Sequence, residues 1–293
     1  MSPLASLILS ALLAAASASP QASQAPKEPQ AASPALAVCP PLPALSPGPF
    51  PFPASEKLTF DLDVTGASAA TMTMELLPRK GQGAAAIQPV ALQAQTNTFF
   101  DKVRKVQARL VSDLDARTLF PKRLHEDIAV DDRAYRHAAT FDAAQKRITV
   151  TWTSAQGSGG ERVWPTDATD GRALDYLGAF YFFRALPLKV GERFCVDILG
   201  LRRLWRVEGS VVGREHASTP AGEFPVLRLS GKATRHDKPT DVRELHLWLS
   251  DDARRLPVAV MGVIDLGTLR AVLSSVRRPD FQSDPARPTG MTW

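Results

Sequence analysis

A chain of 293 residues that is 44% hydrophobic and 22% charged has a globular composition, with length for one large domain or two small ones. It is neither a polytopic membrane protein nor a chain disordered throughout. Thirty-five Lys and Arg against 30 Asp and Glu leave a scattered net charge of +5, a poor mark of a nucleic-acid binder. Two cysteines exclude a disulfide-dense miniprotein, a four-cysteine zinc site and a thiolate-held iron–sulfur cluster.

Leu4 to Ala16 is an apolar run with the length of a signal-peptide core, too short to span a bilayer comfortably. It ends in Ala16-Ser17-Ala18, the small-x-small pattern a signal peptidase reads, although no Lys or Arg precedes Leu4. Residues 1–18 are therefore expected to be a signal peptide. No transmembrane span is expected in what remains, because no other run reaches the required length. Residues 19–55 read as a Pro/Ala-rich linker or tail: eleven of the 24 prolines fall between Pro20 and Ala54, and proline removes the donors a sheet needs. Within this tail, Phe50 and Phe52 could dock on the domain, with a free tail as the alternative. Cys39 lies in the tail and Cys195 in the domain. In an oxidising compartment a Cys39–Cys195 disulfide is expected; the alternative is two free thiols with Cys195 buried as a small apolar residue.

From Lys57 the dominant signal is alternation with period two. Leu58, Phe60, Leu62 and Val64 share one face, Ile148, Val150 and Trp152 another, and Leu245, Leu247 and Leu249 a third. One apolar and one polar face per strand suits antiparallel sheet with one side wet. Turn residues separate the runs, as in Gly157-Ser158-Gly159-Gly160, Pro220-Ala221-Gly222 and Asp251-Asp252-Ala253. The count is about a dozen strands, too many for a flat sheet. One segment breaks the period: Ala173 to Leu186 is apolar around most of a helical wheel, with Asp170 as the candidate cap and Pro187 as the stop. So aromatic a helix must be covered on most sides.

The sequence lacks a GxSxG elbow, an HExxH pair, a P-loop and a dinucleotide fingerprint in its proper context. None of the five histidines is paired at metal-binding spacing. His125-Glu126-Asp127 splits across two strand faces and reads as solvated. Asp61 and Asp63 share a polar strand face, a spacing common on wet sheets as well as in glycosidic chemistry. Asp251-Asp252 reads as a turn. No catalytic residue, cofactor or metal is assigned.

Five segments in order resemble the DUF3108 family of exported bacterial proteins. They are Glu56 to Asp61, Leu119-Phe120-Pro121, Leu186 to Glu192, Thr219 to Phe224 and Leu247 to Pro257. The likeness covers roughly residues 56–276. It implies a β-rich exported domain and carries over no catalytic residue. The chain departs from the family in its long Pro-rich leader and in a short polar tail after Arg278.

These readings give a mainly β protein: one large curved antiparallel sheet, as a barrel, half-barrel or sandwich, with an aromatic-rich helix packed on it. The domain is placed at 56–278 and a polar tail at 279–293. The expected function is that of a non-catalytic structural or interaction module in the periplasm or envelope of a Gram-negative bacterium. The alternative is a carrier for an apolar ligand such as a lipid, contacted by Trp152, Phe180, Tyr181, Trp205 and Leu247. A hydrolase ranks third. The partner is left open between a lipid and another envelope protein.

Overall fold

The computed structural model describes residues 38–40, 45, 51–264 and 266–281. The expected signal peptide, most of the 19–55 leader including Phe50, and most of the 279–293 tail lie outside the described residues.

The alternating runs become strands. The first half of the domain holds β1 (Lys57–Val64), β2 (Ala67–Leu76), β3 (Ile87–Thr96), β4 (Val106–Asp115), β5 (Pro121–Val130), β6 (Arg133–Asp142), β7 (Arg147–Ser154) and β8 (Gly159–Pro165). The second half holds β9 (Ala173–Asp175), helix α1 (Tyr176–Ala185), β10 (Arg193–Gly200), β11 (Arg203–Thr219), β12 (Gly222–Arg235), β13 (Lys238–Ser250), β14 (Pro257–Ile264) and β15 (Gly267–Arg277). Among the described residues all fifteen strands join one open, curved sheet, more than the dozen the turn signals suggest. The order is β8-β7-β6-β5-β4-β3-β2-β1-β15-β14-β13-β12-β11-β10-β9. The chain starts at the middle of the sheet, meanders to one edge, crosses to the other edge and meanders back. β15 thus pairs antiparallel with β1, Lys57 opposite Arg277 and Val64 opposite Leu269.

Every ladder is antiparallel except β9–β10. Parallel neighbours need a crossover, and α1 supplies it. The two edges are blunt, as exposed sheet edges must be to avoid pairing with other chains. β9 has three residues, and β8 is exposed from Gly159 to Val163, with Glu161 and Arg162 among them. Side chains bridge the seam between the edge strand and the far half of the sheet. Trp164 Nε1 donates to the Arg202 carbonyl at 3.1 Å, and Arg162 pairs with Asp237 at 2.9 Å. The Arg202 guanidinium lies over the Trp152 ring, 4.9 Å from its centre.

The inward faces make one continuous core that includes Leu58, Phe60, Leu62, Leu110, Val150, Val207, Leu247 and Leu249. Helix α1 sits against this core, nearest β3, β4, β9 and β10. All its residues from Tyr176 to Arg184 are buried. Aromatic contacts run outward from it: Phe182 to Phe120 with ring centres 5.5 Å apart, and Phe183 to Phe194 at 5.1 Å. Phe194 fits because its cross-strand partner is Gly209, where an added Cβ would lie 2.6 Å from the Phe194 ring.

The helix starts later than the sequence suggests. Ala173–Asp175 pair with β10 as a strand, and Asp170 instead ends a short 3-10 turn in left-handed conformation (φ 51°). Asp175 is the cap. Asp170 stands before Gly171-Arg172 and Asp175 directly before Tyr176; the β9–β10 pairing selects Asp175 by holding Ala173–Asp175 as strand.

Candidate functional site

Two buried polar clusters hold the ends of α1, and a cavity opens beside it. At the start of the helix, the Asp175 Oδ1 accepts the backbone N–H of Gly178 at 2.6 Å and its Oδ2 accepts the Ser112 hydroxyl at 2.5 Å. Burial pushes the Asp175 carboxyl up to about 7, and the neighbouring Glu126 charge pushes in the same direction. Glu126 itself is buried, its Oε1 accepting the Tyr176 hydroxyl at 2.5 Å and its Oε2 lying 3.1 Å from His137 Nδ1. His137 stands opposite Glu126 on β6, and Trp152 stands opposite His137 on β7. His137 Nε2 is buried and has no hydrogen-bond partner among the described residues.

At the other end, Arg184 forms a two-pronged pair with Glu56, Nη1 to Oε1 at 2.7 Å and Nη2 to Oε2 at 2.8 Å. Arg184 Nε donates to the Arg255 carbonyl at 2.9 Å. Arg278 Nη1 reaches Glu56 Oε2 at 2.5 Å, and the Tyr181 hydroxyl donates to Oε1 at 3.1 Å. Burial acts to raise the Glu56 carboxyl, but Arg184 above all, with Arg278, outweighs it and holds the group below the ordinary carboxylate range. Phe52 caps this cluster, its ring centre 4.2 Å from the Arg184 guanidinium and 5.2 Å from that of Tyr181. One ring of the leader therefore docks on the domain.

The leader is tied a second time. Cys39 and Cys195 form a disulfide with Cα atoms 5.4 Å apart, and no free cysteine remains. Between these two ties, Leu45 lines a cavity of about 860 Å³ at the β3–β6 end of the sheet. Ile87, Phe120 and Phe141 form its apolar wall together with Leu45. Around them stand Arg117, Lys122, Arg123 and Arg172, and the carboxylates of Asp113, Asp115 and Asp142. Asp113 is held by Arg123 at 2.9 Å and Asp115 by Lys122 at 3.1 Å. Arg117 and Arg172 make no ion pair among the described residues.

Of the residues expected to touch an apolar ligand, Phe180, Tyr181, Trp205 and Leu247 are buried in the core. Tyr181 belongs to the Glu56 cluster. Trp152 is half-buried on β7, beneath Arg202 and against Gly160, where a Cβ would come within 2.6 Å of the indole. None of the five lines the 860 Å³ cavity. Among the described residues no group of three His, Cys, Asp or Glu side chains is gathered to hold a metal ion. Asp63 pairs with Arg270 at 2.9 Å, while Asp251 and Asp252 pair with Arg255 at 3.2 Å and with Arg254. These carboxylates support turns and strand pairs.

Sequence reasoning missed the Glu126–His137–Tyr176 and Glu56–Arg184 clusters. A signal for the first was available: Glu126 has the same parity as Leu124, Ile128 and Val130, all buried on β5.

Two antiparallel meanders joined in one curved sheet round a buried helix define a β-barrel-like protein. Residues 59–274 match the family described as "Protein of unknown function (DUF3108)", and the chain belongs to that family. Among solved structures, it resembles a β-barrel-like protein of the DUF1849 domain from Brucella abortus. That match has 11% identity, covers 78% of this chain and 99% of the other, and has a TM-score of 0.52. A protein with a YmcC-like fold from Bacteroides fragilis matches at 10% identity over 80% of this chain and 100% of its own, with a TM-score of 0.32. No curated protein matches the chain.

Proposed function

We propose that the protein is a non-catalytic exported module of a Gram-negative envelope, a rigid sheet filled by its own helix and acting through its outer surface. The observation that carries this reading is the burial of α1 from Tyr176 to Arg184, with a polar clamp at each end. A helix enclosed in this way leaves no ready path for an acyl chain between it and the sheet, since interiors pack without gaps of that size. Export is supported by the Leu4–Ala16 apolar run with its Ala16-Ser17-Ala18 site, and by the Cys39–Cys195 bond, of a kind that persists in oxidising compartments. Among the described residues no helix is long and apolar enough to cross a membrane.

Hydrogen exchange on the full chain tests the packed reading. The amides of α1 should exchange only with global unfolding, as amides of a permanent core element do. Exchange of α1 through local opening would instead favour a carrier whose helix moves aside for an apolar ligand. N-terminal sequencing of the protein from its native host should find a start near Ser19, and an intact Met1 on the soluble protein would contradict export.

A further inference from the structure

We infer that the cavity beside Phe120 binds an anionic amphiphile with one acyl chain, its headgroup held by Arg117 and Arg172. This goes beyond the module reading, because the ligand would lie next to the packed interior and α1 would stay in place. Three features support it. The volume of about 860 Å³ falls in the range of small-molecule sites. The wall is a run of apolar surface from Leu45 across Ile87 and Phe120 to Phe141, and all four side chains are only partly buried. Apolar surface left facing a cavity is what an acyl chain covers favourably.

The third feature is the charge. Of the four cations around the cavity, Lys122 and Arg123 are spent on Asp115 and Asp113. Among the described residues neither Arg117 nor Arg172 forms an ion pair, although Arg172 is within electrostatic reach of the Asp170 carboxylate; Arg117 is thus the cation left for a ligand, with Arg172 shared between that ligand and Asp170. Among the described residues Asp142 forms no ion pair, and it accepts the backbone N–H of Gln145 at 2.9 Å. A guanidinium presents paired donors that match a carboxylate or phosphate. An apolar wall with such donors at its rim selects a molecule carrying both a tail and an anionic head.

The test uses the full-length protein stripped of bound lipid and three probes: laurate, 1-dodecanol and acetate. Laurate should bind below its micelle concentration. Dodecanol should bind at least tenfold more weakly, and acetate should not displace laurate. The paired charge reversal Arg117→Glu with Arg172→Glu should weaken laurate at least tenfold and leave dodecanol unchanged. If that variant fails to fold, Arg117→Gln with Arg172→Gln serves in its place. Phe141→Asp should weaken both long-chain probes. No laurate binding, equal affinity for laurate and dodecanol, displacement by acetate or an unchanged affinity in the arginine variants would each overturn the inference. None of these results bears on whether α1 is packed, which hydrogen exchange reads separately.

Discussion

Glu56 and Arg184 lie 128 residues apart in sequence and meet through two parallel hydrogen bonds of 2.7 and 2.8 Å, both side chains fully buried. The pair fastens the residue just before β1 to the last turn of α1, so the start of the domain and its central helix are locked together. Removing charges from water is costly, and such a pair is tolerated only because its geometry and extra partners are good. Glu56 has those extra partners in Arg278 and Tyr181.

Loss of the carboxylate should therefore hurt more than loss of one cation. Glu56→Gln leaves the buried Arg184 guanidinium without its carboxylate, while Arg278 keeps Asp280, and should cost about 3–5 kcal/mol in urea unfolding. Arg184→Met leaves Glu56 paired with Arg278 and should cost clearly less. Equal losses would show that Arg278 does not compensate.

Truncation of the helix core is a separate test. Phe180 is 2% exposed, and Phe180→Ala should destabilise by about 3–5 kcal/mol as a core cavity. A loss well under 1 kcal/mol would mean that α1 is not part of the permanent core.

The acid at the helix start makes stability depend on pH. Asp175 is raised from 3.8 to about 7 in the folded protein, so between those values the folded state holds a proton that the unfolded chain has released. Its contribution is full below about 4 and is lost as pH rises toward 7. Glu56, held by Arg184 and Arg278, and Asp197, buried on β10 and held against that burial by His236 at 2.9 Å and Arg206 at 2.6 Å, are lowered on folding and act in the opposite sense, losing stability as pH falls through the carboxylate range. Asp175→Asn keeps an acceptor for Gly178 and removes the titration. The stability of the native protein minus that of the variant should fall steadily between about pH 4 and 7. A flat difference would show that Asp175 is ionised throughout.

The leader bond should be worth measuring by reduction. Cys39 and Cys195 are 156 residues apart, and chain-entropy arithmetic for a loop of that size gives about 5 kcal/mol as an upper limit. Cys39→Ser should lower stability by no more than that, and non-reducing peptide maps should show the two peptides joined. Alkylation of both thiols without reductant in protein purified from its native host would refute the bond.

Period-two alternation made the strands legible because side chains on a strand point alternately to opposite faces, so Leu58, Phe60, Leu62 and Val64 had to share one. The aromatic helix was legible for the same local reason: a stretch apolar on every side has to be enclosed. The family motifs matched because several of them are turns, as at Asp251 to Arg255, where Asp252 Oδ1 accepts the Arg254 and Arg255 amides at 2.9 and 3.2 Å.

In the sequence the charge of Glu126 suggests a solvated position even though its parity matches the buried residues of β5. Its burial is made tolerable by Tyr176, which arrives from a segment 50 residues on, together with His137 directly opposite on the neighbouring strand β6. The choice of Asp175 over Asp170 as the cap and the cations around the Phe120 cavity have the same origin, whereas the Cys39–Cys195 bond is already expected from the two cysteines and is present. Local backbone geometry set the elements from the sequence alone. Which charges are buried or neutralised depended on which distant strand ends the curled sheet brought together.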